Sequence, residues 1–257
     1  MNDNNTLPPC DPLPHTGWIP RLEGLPIVTN FDDTLYTHCS APGILKTWRT
    51  RRFITPVKAQ TIAWTATKKA LDSVSQPRKI YVVKQVSKRE ATGIEMMRRR
   101  VRTHDHCPRC MDPEETHSHI LHCQHGSAIN QWRLSIDKLQ LFLDKIDTPD
   151  DISHAICEQL LFWQSDPNNN HKWSPITTID GKRFIEAQQS IGWTLIVEGC
   201  LPLVWIEMMQ NYFQSIESNR TGLRWATSII KKLWDTSWDM WDHRNRALND
   251  GDGDEDL

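Results

Sequence analysis

Ile129, Trp132, Ile136, Leu139, Leu143 and Ile146 recur at steps of three and four, with mostly polar residues between them. That is the apolar seam of a coiled-coil-like α-helix. Thr148-Pro149-Asp150-Asp151 then supplies an N-cap, a proline at the first helical position and acids in the first turn. The helix it opens should bury Ile152, Ile156, Leu160 and Trp163. Ser165 to Pro175, with three consecutive asparagines, reads as a loop. Asp180 to Ile191 has a helical pattern, and Leu195 to Ile216 is a second apolar stretch that Pro202 starts or kinks. A last helix is predicted from about Thr221 to Leu248, with Leu223, Ala226, Ile230, Trp234, Trp238 and Trp241 as its stripe.

Upstream the pattern is weaker. Thr55-Pro56 opens a helical segment to about Val74. Ile80, Val82, Val83 and Val86 follow, and Ile80 to Val83 reads either as poor helix or as a short strand. Ile94, Met97 and Val101 predict a clearer helical stripe. Seven prolines interrupt residues 1–43, which predicts a disordered tail. The expected organisation is that tail, a basic helical segment over 44–105, a small zinc knuckle over 106–125, a Trp-rich helical domain over 126–248 and an acidic tail over 249–257. The fold class is mainly α.

Charge changes the picture more than composition does. The formal net of −2 hides a block at 46–109 with 17 basic and 4 acidic residues, and a block at 110–257 with 12 basic and 23 acidic. Such segregation points to a polyanionic partner, or to the chain's own acidic half as cover for the cations. Lys84, Lys88, Arg89, Arg98, Arg99, Arg100, Arg102 and Arg109 are the candidate contacts to RNA or DNA, mainly through the backbone. Trp64 and Tyr81 lie among them and are read as core, not as stacking platforms for bases. No run of about 18 apolar residues is present and the N-terminus lacks a signal-peptide pattern. An intracellular protein, nuclear or cytoplasmic and not secreted, with no membrane association, is expected. No phosphate-cradling glycine loop or nucleophile triad is apparent, so neither an enzyme nor a small-molecule substrate is expected.

The candidate chemistry is concentrated in residues 107–123. Cys107 and Cys110 are separated by two residues, and His119 and Cys123 lie four apart. Together they make a Cys3His set of the closed, structural zinc type, with one zinc ion expected. His117 competes with His119 for the ligand role. His104, His106, His122 and His125 are read as surface or supporting histidines. His-Glu-x-x-His order is absent, which disfavours a zinc hydrolase. The polar groups of His243-Arg244-Asn245 are read as capping or cross-bracing neighbouring helices, with no catalytic role.

Cys107-Pro-Arg-Cys110, Glu115-Thr116 and His119-Ile-Leu-His-Cys123 resemble the zinc-binding region downstream of the polymerase in non-LTR retrotransposon reverse transcriptase-like proteins. Arg78 to Lys84, Ile191-Gly192-Trp193, Gly222 to Ala226 and Trp238 to Asn245 extend the resemblance over about residues 60–248. The polymerase domain itself is missing. The resemblance implies a C-terminal module whose Cys107, Cys110, His119 and Cys123 bind zinc. It also implies RNA or DNA as ligand and a reverse transcriptase domain, in cis or in trans, as partner.

Overall fold

The computed structural model describes residues 21–22, 25–26, 54–166 and 178–251. Most of the 1–43 tail, most of the Ser165–Pro175 loop and the last six residues of the acidic tail lie outside the described residues. The chain divides into two compact units, Met1–Pro56 and Val57–Leu257. In the first, β1 (Arg21–Leu22) pairs antiparallel with β2 (Leu25–Pro26), in the register Arg21↔Pro26 and Leu22↔Leu25. The expectation of a tail without secondary structure missed this pair.

The rest is mainly α-helical. In chain order the helices are α1 (Pro56–Gln60), α2 (Trp64–Ser73), α3 (Gln76–Ser87), α4 (Gly93–Arg98), α5 (His117–His122), α6 (Gly126–Lys145), α7 (Asp150–Ser165), α8 (Ile179–Ile191), α9 (Leu203–Ser215) and α10 (Gly222–Gly251), with a 3-10 turn at Trp193–Leu195. The predicted single helix from Thr55 to Val74 is broken between α1 and α2. There the backbone pairs across the fold: the Ala63 N–H donates to the Leu201 carbonyl and the Leu203 N–H to the Thr61 carbonyl, both at 2.8 Å.

Ile80 to Val83 is helix. Tyr81, Val82 and Gln85 point into the core, while Ile80 and Val83 are exposed and blur the helical period. The Ile94, Met97, Val101 stripe is not a core face, because α4 stops at Arg98 and both Met97 and Val101 are exposed. α7 begins one residue later than the capping pattern suggests, with Pro149 as N-cap. Thr148 instead accepts a 2.8 Å hydrogen bond from Trp225 Nε1. α10 runs to Gly251, about three residues past the predicted end.

α10 is the central element and packs on α6, α9, α2 and α5, while α7 packs on α6 and α8. Trp132, Trp205 and Trp234 are among the largest fully buried side chains. Burial of one indole contributes up to about 4–6 kcal/mol by area. Two of these indole N–H groups find carbonyls: Trp132 donates to Leu160 at 3.2 Å and Trp205 to Phe184 at 2.8 Å. Gly222 marks a close approach of α10 to α9, since a Cβ there would lie 2.0 Å from the Ile206 carbonyl oxygen. No helix among the described residues is long and apolar enough to cross a membrane.

Candidate metal centre

Cys107 and Cys110 occupy a tight turn between α4 and α5. The Met111 N–H donates to the Cys107 carbonyl at 2.8 Å, and the Cys107 N–H donates to the Asp112 carbonyl at 2.9 Å. Met111 itself takes a left-handed backbone with φ 62°. Thr116 caps the following helix, its Oγ1 accepting from the His119 N–H at 3.0 Å. α5 then presents His119 one turn in, and Cys123 follows as its C-cap.

The four potential ligand atoms lie within 4.8 Å of one another. Cys107 Sγ is 4.0 Å from Cys123 Sγ, and Cys110 Sγ is 3.2 Å from His119 Nε2. Cys107 and Cys123 are buried, and Cys110 and His119 half-buried. Side chains so placed are close enough to hold one metal ion.

Their electrostatics favour one thiolate at a time. Cys107 is pulled down to about 2, chiefly by the hydrogen bond from Cys123 and, against burial, by His119. Cys110 is pushed up to about 11 by burial. Cys123 is pushed up by the bond it gives Cys107 and by burial. The His119 imidazole is raised by its bond to Cys107. Three thiolates crowded together repel, and a bound dication is what lets all three ionise.

The other histidines have different partners. His117 Nδ1 faces Glu90 Oε2 at 2.8 Å, so of the two competing residues it is His119 that stands with the sulfurs. His122 Nδ1 lies 3.1 Å from the Gln164 carbonyl, and its ring meets Trp163 edge-on. His125 caps α6, accepting from the Ser127 N–H. His104 contacts Arg102 at 3.3 Å.

One residue pair was beyond reach of the sequence reading. Glu115, between the two halves of the ligand set, is fully buried and paired with Arg244 of α10. Arg244 Nε donates to one carboxylate oxygen at 2.8 Å, and Nη2 donates to the other. The Gly93 N–H adds a third bond at 2.6 Å. The fork thus ties the end of α10, the start of α4 and the ligand segment together. Of the two roles open to His243-Arg244-Asn245, capping or cross-bracing, Arg244 takes the second.

The basic residues fall into three classes. Lys84, Lys88, Arg89, Arg98, Arg99 and Arg100 are exposed, and Arg102 is half-buried. Arg109 is only 6 % exposed, with Nη2 bonded to the Ile120 carbonyl, so it corrects the expected contact set: it is not presented to an external polyanion. Tyr81 is core and packs edge-on against Trp238, and Trp64 Nε1 is bonded to the Ala59 carbonyl.

Comparison with protein-family models, with curated proteins and with solved structures finds no match for this chain.

Proposed function

We propose that this chain is a non-catalytic, zinc-dependent nucleic-acid-binding module, the C-terminal part of a retrotransposon reverse transcriptase-like protein. Zinc is the ion that the Cys3His set suits. A tetrahedron with Zn–S of about 2.3 Å and Zn–N of about 2.0–2.1 Å has edges of about 3.6–3.8 Å. The 4.0 Å and 3.2 Å ligand separations bracket those edges. When bound, zinc supplies charge and a fixed tetrahedral geometry; with four protein ligands it leaves no open position for chemistry. The chain's own residues do the rest. Thr116 starts the ligand helix, and Glu115 with Arg244 locks it onto α10.

The observation that carries the nucleic-acid reading is the arginine cluster beside this centre. Glu95 receives Arg98 at 2.7 Å, Arg99 at 3.3 Å and Arg89 at 3.9 Å. One carboxylate cannot neutralise three guanidinium groups, and Arg100 adds a further exposed cation. A polyanion that replaces salt counterions relieves this repulsion. RNA or DNA, bound through its backbone, is the ligand class, and a reverse transcriptase domain in cis or trans is the working partner.

The rival reading is a structural or protein-interaction domain whose acidic half covers the cations. Arg78 Nη2, which meets Asp235 at 3.1 Å, is a contact in its favour. Among the described residues the ion pairs of Arg89, Arg98 and Arg99 go instead to Glu95, inside the basic block itself.

The test is fluorescence polarisation of the zinc-loaded chain with labelled single-stranded and duplex oligonucleotides. Four phosphate contacts lower affinity by about 100-fold between about 50 and 200 mM salt. Charge reversal at Arg98, Arg99 and Arg100 should abolish most of the binding and flatten that slope. Affinity indifferent to salt, or unchanged by the reversal, overturns the reading.

A further inference from the structure

Arg109 sits inside the Cys107-x-x-Cys110 turn, yet its side chain is withdrawn from solvent. Nη2 donates to the carbonyl of Ile120, the residue after His119, at 2.7 Å. The guanidinium is thereby pinned against α5, between the His119 and Cys123 positions. Its Nε and Nη1 are buried and have no hydrogen-bond partner among the described residues. Among the described residues no carboxylate pairs with it either: Glu115 is taken by Arg244 and the Gly93 N–H. A buried cation with two idle donors is costly unless a negative charge lies close by.

We infer that Arg109 is the counter-cation of the metal centre, a buried guanidinium that offsets the net negative charge of three thiolates and one neutral imidazole around a zinc dication. The inference rests on the zinc reading of the same four ligands. A Cys3His zinc site carries one negative charge, and a site enclosed by protein needs it balanced. Arg109 is the cation that the fold places there. Arg109 is a positioning residue, acting on the metal through the ligands. Its absence from the exposed basic face follows from the same role.

The experiment measures zinc affinity by chelator competition, on full-length chains shown by circular dichroism to keep their helices. Arg109→Gln removes the charge and should weaken zinc by about 10- to 100-fold, in the range for partners of metal ligands. Arg109→Lys keeps the charge and should lose less than about 5-fold. A packing role is separated by Cys110→His, which makes the centre neutral with two thiolates and two imidazoles. In that background Arg109→Gln should cost less than about 3-fold. Equal losses for Arg109→Gln and Arg109→Lys, or an Arg109→Gln loss of the same size in both backgrounds, overturns the inference. A wild-type chain that takes up no zinc overturns the zinc reading and this inference together. Wild-type uptake with no effect of Arg109→Gln overturns this inference alone.

Discussion

Replacing Arg244 by methionine tests the brace that joins the ligand segment to the core. Arg244 is 1 % exposed and Glu115 0 %, so the pair has no access to water. The substitution keeps the side-chain bulk and leaves a buried carboxylate with only the Gly93 N–H to hold it. Breaking a buried pair from one side costs about 3–5 kcal/mol, a large part of the stability of an ordinary domain. With a urea m-value of about 2 kcal/mol per molar, the midpoint should fall by about 1.5–2.5 M. The assay is urea unfolding followed by tryptophan fluorescence at fixed zinc. Glu115→Gln should cost a similar amount, by stranding the guanidinium. The double variant should cost at least about 2 kcal/mol less than the sum of the singles, because neither charge is then left alone. A loss under about 1 kcal/mol for Arg244→Met, or strict additivity, would refute the reasoning.

Gly93→Ala should destabilise the chain by about 2 kcal/mol or more, since the new Cβ would sit 2.2 Å from the Asp105 backbone oxygen; thermal unfolding checks it. Trp225→Phe removes the bond to buried Thr148 and should cost about 1–2 kcal/mol in the same assay, with wild-type stability counting against that bond. Glu95→Gln strips the arginine cluster of its carboxylate and should tighten oligonucleotide binding several-fold at low salt; unchanged or weaker binding counts against the cluster as the contact surface. The hydrogen bond from Arg98 holds the Glu95 carboxyl below the usual carboxylate range, so the gain from its protonation should appear only as pH falls below that range. Binding that strengthens already between pH 7 and 5 cannot come from Glu95.

Helices that bury a long, regular stripe were legible in the sequence. Trp132, Ile136, Leu139 and Leu143 are all buried on α6, and Ile152, Ile156, Leu160 and Trp163 on α7. The period decides there, because these positions of the stripe meet the core, while Leu134 and Leu141 lie off the stripe of α6 and are exposed. α3 and α4 were harder for the opposite reason: Ile80, Val83, Met97 and Val101 are apolar yet exposed. The break between α1 and α2 has no local signal, since it arises from pairing with backbone near Leu201. The ligand set was legible because cysteine and histidine spacing reflects turn and helix geometry directly. The Glu115–Arg244 fork was not, because its partners lie 129 residues apart. Arg109 was counted with the surface cations, as charge composition does not distinguish a buried guanidinium from an exposed one.

The most direct measurement is the zinc K-edge absorption spectrum of the purified chain, with metal content determined on the same sample. One zinc per chain is expected, surrounded by three sulfurs at about 2.3 Å and one nitrogen at about 2.0–2.1 Å. Cys110→Ser should lose the metal. A chain without stoichiometric zinc, or a first shell of nitrogen and oxygen alone, would contradict the centre formed by Cys107, Cys110, His119 and Cys123.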